Sequence, residues 1–549
     1  MQDSHWLNFE PDFSRFCNIA EIARPNANDA REQLQPRLHN ALARFVAAPS
    51  HAKVMRITCQ ENPHYRSELI ALLAALTEKH VVAPESISRS TLLNLVYPQE
   101  NSPNVEGYLQ QAHQGILLLP ASQVLVNPML WTVLKAAIFS GELAWEQANK
   151  KQYAPLPAAK SLQTQLIIYG DRALMAEFEQ LEPDTMGSLW QYGEYESDLV
   201  LDNCNLPSYL RTIESVCDAI TVTPPQNEED WHALFRSGVR TCEDHDRVPL
   251  CPVWIKALLA EAAYQSEDNT ITAASLKLAN EARDYRESYL PNRALEDIHG
   301  GHVIIDCKGS QVGQVNGLTV VELPGHPKAY GEPARISCVV HFGDGDISDV
   351  ERKAEMAGNI HAKGMMIMQA FISSALDLQQ PLPYSASIVF EQSYCEVDGD
   401  SASLAELCAF VSALSQVEIN QQLAITGAVD QFGRVQAVGG INEKIEGFFH
   451  VCAHRGLTGE QGVILPKANI VNLCLNSEVL DAIKAKQFHL WPVEDVDAAL
   501  PLLTGMAFRD EEDKPCLLKK IGERIDAVDD EHDRPRGLIN RVLNWFGLY

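Results

Sequence analysis

The chain has 549 residues, with 44 Lys and Arg against 73 Asp and Glu, a formal net charge of −29. Hydrophobic residues make up 46% and charged residues 21%, ordinary for a globular chain of about three or four domains. This excludes a mainly disordered, collagen-like or coiled-coil protein. So acidic a surface repels phosphates, so a nucleic-acid role would need a local basic patch, and no long one occurs. The opening MQDSHWLNFEPDF has no basic stretch followed by an apolar run, so no secretory signal is expected. No apolar run approaches the roughly 18 residues of a spanning helix, so no membrane partner is expected. The 13 cysteines are scattered and form no CxxC pair, which points to reduced thiols in a cytoplasm rather than a zinc ribbon or a disulfide framework.

In chain order, residues 1–50 read as a polar helical segment. Residues 51–227 carry short apolar runs at Val54–Thr58, Gly115–Leu119 and Gln165–Tyr169, with helical patterns such as Ser67–Leu76 and Met129–Phe139 between them. That alternation predicts an α/β module with a parallel sheet and crossover helices. Residues 228–296 are helical throughout and read as a lid, with apolar spacing in Val253–Ala263 and Thr272–Tyr285. Near His299 glycine becomes frequent. Strands are expected at Val303–Ile305, Val312–Leu323, Ile336–Phe342, Ser385–Phe390, Leu423–Ala428, Arg434–Val438 and Gly462–Leu465. Helices are expected at Gly364–Leu376, Ser403–Leu414, Ile441–His454 and Asp495–Leu503. Residues 297–505 are therefore an α+β domain, and 506–549 a charged, then amphipathic appendage. The fold class is α/β multidomain.

Two segments could carry chemistry. Val397–Glu406 reads strand end, Asp-Gly turn, helix start; Gly439–Lys444 reads glycine turn, helix start. Each has an ordinary explanation: Ser403 and Glu406 fit a capping box, and Lys444 could face solvent. Together they allow more. A serine hydroxyl must lose its proton to a base. Lysine is that base only when neutral, so its pKa of about 10.4 must fall to near 7, a cost of about 4 kcal/mol. Burial and the positive end of a helix both push it down. Lys444 lies in a predicted first turn, and Ser401 lies just before a helix whose free N–H groups could hold an oxyanion.

The stretches FEQSYCEVDGDSASLAEL, AITGAVDQFGRVQAVGGINEKIEGFFHVCAHRG and GVILPKANIVNL resemble the proteolytic domain of Lon proteases, as do GQVNGLTVVEL and GNIHAKGMMIM upstream. The G-D-S-A-S motif is similar to that of the LonB-like branch. The resemblance covers about residues 297–505 and implies a serine endopeptidase of the endopeptidase La class. It implies Ser401 as nucleophile, Lys444 as general base, Thr426 as a threonine that helps hold the lysine amine, and Asp400 as an acidic neighbour of the nucleophile. Ser403 is left to the helix cap. His361 falls in the similar motif, with a packed or surface histidine as its plain alternative. The family also implies unfolded polypeptide substrates and a hexameric homo-oligomer.

In the front half, GILLLPASQVLVNPMLWTVLKAAIFSGEL and QLIIYGDRALMAEFEQLEPD resemble the AAA+ ATPase core of the same branch. ATP and Mg²⁺ are expected for the family, yet the motifs depart from it. The phosphate loop G-x-x-x-x-G-K-S is replaced after Cys59 by Gln60-Glu61-Asn62-Pro63-His64-Tyr65-Arg66-Ser67. Both glycines are missing, so the backbone cannot wrap phosphates, Tyr65 blocks close approach, and Arg66 stands for the lysine. The acidic pair that would serve Mg²⁺ reads Pro120-Ala121. A degenerate AAA+-like module is expected, with no cofactor required and no ATP hydrolysis of its own. The alternatives are a non-catalytic scaffold or adaptor, and a peptidase regulated by nucleotide binding without hydrolysis. His450, Cys452 and His454 share a predicted helix but lack further ligands, so no metal is expected. His299 and His302 are a weaker pair still. G-x-S-x-G is absent, which disfavours an α/β-hydrolase, and Asp510–Asp513 reads as a solvated linker.

Overall fold

The structure, a computed structural model, describes residues 9–97, 105–148, 155–183, 190–343, 345–353, 358–376, 382–392, 399–509 and 514–532. Val397 and Asp398, the acidic run Asp510–Asp513 and the amphipathic stretch 537–549 lie outside the described residues. The chain divides into two compact units: Ser14–Cys242 with Asp246–Ala279, and Met1–Phe13 with Glu243–His245 and Asn280–Tyr549.

The first unit is built on a five-stranded sheet. Its strands are β1 (Val54–Thr58), β2 (Val81–Val82), β3 (Ile116–Pro120), β4 (Gln165–Gly170) and β5 (Trp190–Glu194). All pair in parallel, in the order β2-β3-β4-β1-β5. β1, β3 and β4 are buried at every position, which is why they read as continuous apolar runs. β2 has two residues and β5 reads WQYGE; neither stands out as a strand in the sequence. Helix α1 (Pro63–Leu76) follows β1. The expected helical stretch resolves into Glu228–Cys242, Pro252–Tyr264, Ala273–Glu287 and Tyr289–His299, and the division between units falls inside the third of these. No described helix is long and apolar enough to cross a membrane.

The second unit is built on a seven-stranded mixed sheet. Its strands are β6 (Gln314–Val321), β7 (Tyr330–Phe342), β8 (Ile347–Asp349), β9 (Tyr384–Glu391), β10 (Leu423–Ile425), β13 (Gln461–Pro466) and β14 (Phe488–Val493), in the order β8-β9-β7-β6-β10-β13-β14. A separate antiparallel ribbon joins β11 (Ala428–Val429) to β12 (Val435–Gln436). Helices α2 (Asn359–Ala375), α3 (Ser403–Ser415) and α4 (Ile441–His454) complete the frame.

Side-chain alternation along the strands builds two cores. Leu423, Ile425 and Ile464 join the core that contains α3, whereas Ala424, Val463 and Leu465 join the core that contains α4. The sheet thus separates the two helices. α3 is buried at all 13 positions, so its sequence SLAELCAFVSALS shows no polar face. Arg524, on the helix Leu517–His532, donates to the Ala413 carbonyl at 3.0 Å and to that of Leu414, meeting the cationic preference of the α3 C-terminus. The appendage therefore begins as a docked helix.

Two expectations fail for identifiable reasons. Val303–Ile305 forms no strand, because its backbone groups are taken by side chains: Ile304 N–H donates to Gln392 Oε1 at 2.9 Å, and Arg455 donates to the Ile305 carbonyl. The run Val312–Leu323 is broken at Gly313, which lies at φ 69° with Cys338 O 2.4 Å from where a Cβ would sit. Ser310–Val312 then pairs with Glu418–Asn420 outside the main sheet.

α4 approaches β7 backbone to backbone. A Cβ on Gly447 would lie 2.1 Å from Gly331 O, and one on Gly331 would lie 2.0 Å from Glu443 O. Only hydrogen fits at either position, and the contact sets the height of α4 above the sheet. Gly447→Ala is therefore expected to lower unfolding free energy by at least about 2 kcal/mol in urea melts. Gly522→Ala, on the docked helix with open space around it, is expected to be neutral or to stabilise by up to about 1 kcal/mol.

Candidate active site

Ser401 lies in a turn two residues before α3 and is half-buried. The turn is stitched to the junction of β10 and β11. The Ser401 carbonyl accepts the Gly427 N–H at 2.9 Å and the Thr426 hydroxyl at 3.2 Å. Leu404 N–H donates to Gly427 O at 3.1 Å, and Thr426 N–H donates to Ile464 O at 3.1 Å. A change in the strand junction is thus felt at Ser401 through bonds to its own backbone.

The capping box expected at Ser403 and Glu406 does not form. Ala402 is the N-cap residue and makes no side-chain cap. Ser403 Oγ instead accepts Val429 N–H at 3.0 Å, and Glu406 is buried. Ser403 N–H donates to Asp400 O at 3.0 Å, so it and Leu404 N–H are both committed. Among the described residues, the N–H groups of Ser401 and Ala402 have no backbone partner.

Lys444 is 3% exposed and sits in the first turn of α4, its N–H bonded to Gly440 O. Gly440 opens the helix at φ 61°, where a Cβ would come 2.5 Å from Val320 Cγ2. Burial brings the Lys444 amine down to about 8; the charges of Asp400 and Glu243 oppose this. Asp400 neighbours Ser401 in the chain, so the lysine and the Ser401 turn lie within range of one charge. Among the described residues, no hydrogen bond joins Ser401 Oγ to Lys444 Nζ. Thr426, fully buried, spends its hydroxyl on the turn that carries Ser401, not on the lysine amine that the resemblance implied.

Two asparagines place the lysine and escaped the sequence reading. Buried Asn442 donates to Asn472 O at 2.9 Å and accepts Cys474 N–H at 2.7 Å. Asn469 accepts Val438 N–H and donates to Val438 O, both at 2.9 Å, fixing the chain just before Gly439-Gly440. Asn442 sits inside the GGINEK stretch; Asn469 carries no signal without the fold. His454 stacks on His299 with ring centroids 3.6 Å apart, and Cys452 is buried in the α4 core.

In the first unit, Asn62 caps α1 and its side chain accepts His64 N–H at 3.0 Å and Tyr65 N–H at 3.1 Å. Glu61 Oε1 accepts Ser122 N–H, just after β3, at 2.8 Å, and lies 3.1 Å from where a Gly170 Cβ would be. Tyr65 is buried edge-on to Tyr195, with centroids 5.0 Å apart, and Arg66 pairs with Glu85 at 2.5 Å.

Residues 383–504 match the Lon protease (S16) C-terminal proteolytic domain, and residues 100–188 match the LonB-like AAA domain. The chain is 43% identical to the "Putative Lon protease homolog" of Escherichia coli strain K12 over 98% of both chains. It is 39% identical to the protein of the same name from Haemophilus influenzae, over 77% of this chain and 71% of that one. The Archaeal Lon protease of Thermococcus kodakarensis is 29% identical over 40% of this chain and 32% of its own. The first-named relative spans the chain nearly end to end at this identity, and the chain belongs to the Lon protease family.

Proposed function

We propose that this protein is a serine endopeptidase that cleaves unfolded polypeptides through Ser401 and Lys444 and does not hydrolyse ATP. The observation that carries this reading is a lysine, buried at a helix start and brought down to about 8, facing the charge of the residue next to Ser401. The neutral amine takes the proton of Ser401 Oγ as that oxygen attacks a peptide carbonyl. The ammonium so formed returns the proton to the leaving amine, giving an acyl-enzyme. Lys444 then deprotonates the water that releases it. The uncommitted N–H groups of Ser401 and Ala402 are the donors for the oxyanion. Thr426 holds the nucleophile turn in place through the Ser401 carbonyl. Asp400 tempers the fall of the lysine pKa. The lysine and serine draw together when substrate excludes water, as catalytic pairs do.

The first unit supports the ATP-independent part. The donors that would meet a phosphate at the start of α1 are used by Asn62, the Glu61 carboxylate would repel the anion, and no carboxylate follows β3 to hold Mg²⁺. These residues do not fit a nucleoside triphosphate, which weighs against a nucleotide-regulated site as well. By the family resemblance the working form is a homo-oligomer, a hexamer, in the cytoplasm. Without a motor of its own it takes chains that are already unfolded.

The purified full-length chain is expected to degrade casein without nucleotide, with the rate changed less than about twofold by ATP and Mg²⁺. Ser401→Ala and Lys444→Ala are each expected to lower kcat by at least about a thousandfold. Casein cleavage that survives either substitution refutes the pair, and cleavage that requires ATP hydrolysis refutes the reading of the first unit. For the wild type, kcat is expected to rise as pH passes about 8, where the amine becomes neutral.

The same lysine has a stability signature. Its folded pKa lies below its unfolded one, so the native state is favoured most above about pH 10.5 and loses stability as pH falls through about 8. Lys444→Met is therefore expected to raise unfolding free energy at pH 7 by up to about 3 kcal/mol, a gain that fades as pH approaches 10.5. Denaturant melts at pH 7 and pH 10 check both the sign and the pH window.

A further inference from the structure

Behind the nucleophile turn lies a group of ionisable side chains that the dyad does not use. His361 is 2% exposed and sits on the first turn of α2. Its Nε2 is 3.1 Å from Asp349 Oδ2 at the end of β8 and 3.6 Å from Glu406 Oε1 on α3. Glu406 is 1% exposed. Glu351, in the short turn Val350–Lys353, approaches the same group, and its Oε1 accepts Phe390 N–H of β9 at 3.0 Å. The Phe390 ring meets the imidazole edge to face, with centroids 5.8 Å apart. His361 is thus where β8, α2, α3 and β9 converge. Two of these, β9 and α3, flank the chain segment that holds Ser401.

One turn further along α2 is Gly364, on the same face of the helix as His361. A Cβ there would lie 3.4 Å from Asp400 Cβ and 3.5 Å from Ser403 Cβ, so α2 backs directly onto the nucleophile turn. The charge balance says how His361 holds it there. Three carboxylates facing one imidazole would leave excess negative charge in an apolar setting, so the cluster retains protons. Burial pushes Glu406 up to about 7 and also raises Glu351. Burial works against the His361 cation, but its Asp349 partner and the Glu406 and Glu351 carboxylates prevail and raise it. Asp349, Glu351 and Glu406 are the charged groups facing it from the described elements packed around it. The raised proton affinity of His361 favours an imidazolium between Asp349 and Glu406.

We propose that His361 is a positioning residue, its imidazolium tying α2 to Asp349 and Glu406 so that α2 fixes the turn that presents Ser401 to Lys444. The inference rests on the Ser401–Lys444 reading for its catalytic consequence, and on packing alone for its mechanical one.

The test compares full-length wild type with His361→Gln and Glu406→Gln. The first removes the titrating cation; the second is nearly isosteric and keeps the cluster filled. Steady-state casein cleavage across pH 6–10 is measured beside hydrogen–deuterium exchange of residues 399–405. His361→Gln is expected to lower kcat about tenfold or more with KM within about twofold, and to speed exchange of 399–405 about tenfold. Glu406→Gln is expected to shift both in the same direction by less. Because the imidazolium is lost as pH rises, the ratio of wild-type to His361→Gln kcat is expected to shrink toward the alkaline end of the range. Unchanged exchange in both variants overturns the proposal, whether or not kcat falls. A wild type without peptidase activity sinks the dyad reading, while the exchange measurement still decides whether His361 holds the turn.

Discussion

Burying an ammonium is expensive, and in the second unit the architecture around α4 is arranged so that Lys444 has nowhere else to go. Gly440 starts the helix at a left-handed φ where a Cβ would strike Val320. The Gly331–Gly447 contact lets it sit directly on β7. Asn442 and Asn469 tie its first turn and the preceding loop to the 469–474 segment. Remove any one of these and the lysine gains a route to water. Once hydrated, its amine would return to the ordinary range and cease to be a base near neutral pH. The chemistry proposed for Ser401 therefore depends on packing several residues away from either reacting atom.

The two units treat their helix starts in opposite ways. At α1 the first N–H groups are satisfied from within by Asn62, and the adjacent Glu61 is bonded to Ser122 N–H, so the helix start is a finished piece of structure. At α3 the donors after Asp400 are divided. Those of Ser403 and Leu404 serve the fold, whereas those of Ser401 and Ala402 have no backbone partner among the described residues. A helix start left open is an anion site in waiting; one closed by its own cap is not. On the proposed function, the first unit keeps a parallel sheet without the groups that would engage a phosphate, and the second keeps those that would engage a carbonyl oxygen.

Much of this was legible in the residues because it rests on local rules. β1, β3 and β4 are continuous apolar runs since both their faces are covered, and α4 runs over the expected Ile441–His454 because glycine before it and apolar spacing within it mark both ends. Ser401 and Lys444 stand at turn-to-helix junctions that local pattern reveals. What escaped was set by partners distant in the chain. Ser403 and Glu406 have the spacing of a capping box, but tertiary contacts recruit the serine for Val429 and the glutamate for His361. Val303–Ile305 has strand-like residues, but Gln392 and Arg455 take its backbone groups. Asn469 and Asp349 carry no pattern at all, since their roles exist only once strands far apart in sequence are adjacent.

The complete burial of α3 bears on how the protein comes into being. A helix enclosed on every side has no stable place in a half-formed domain; its flanking turn is held by the β10–β11 junction, 25 residues later in the chain, which is itself bonded to β13 later still. The Ser401 turn is therefore assembled only after the ribosome has delivered the second unit's strands through β13. On the proposed function, a partly synthesised chain would hold no assembled site, because the setting of Ser401 is completed late.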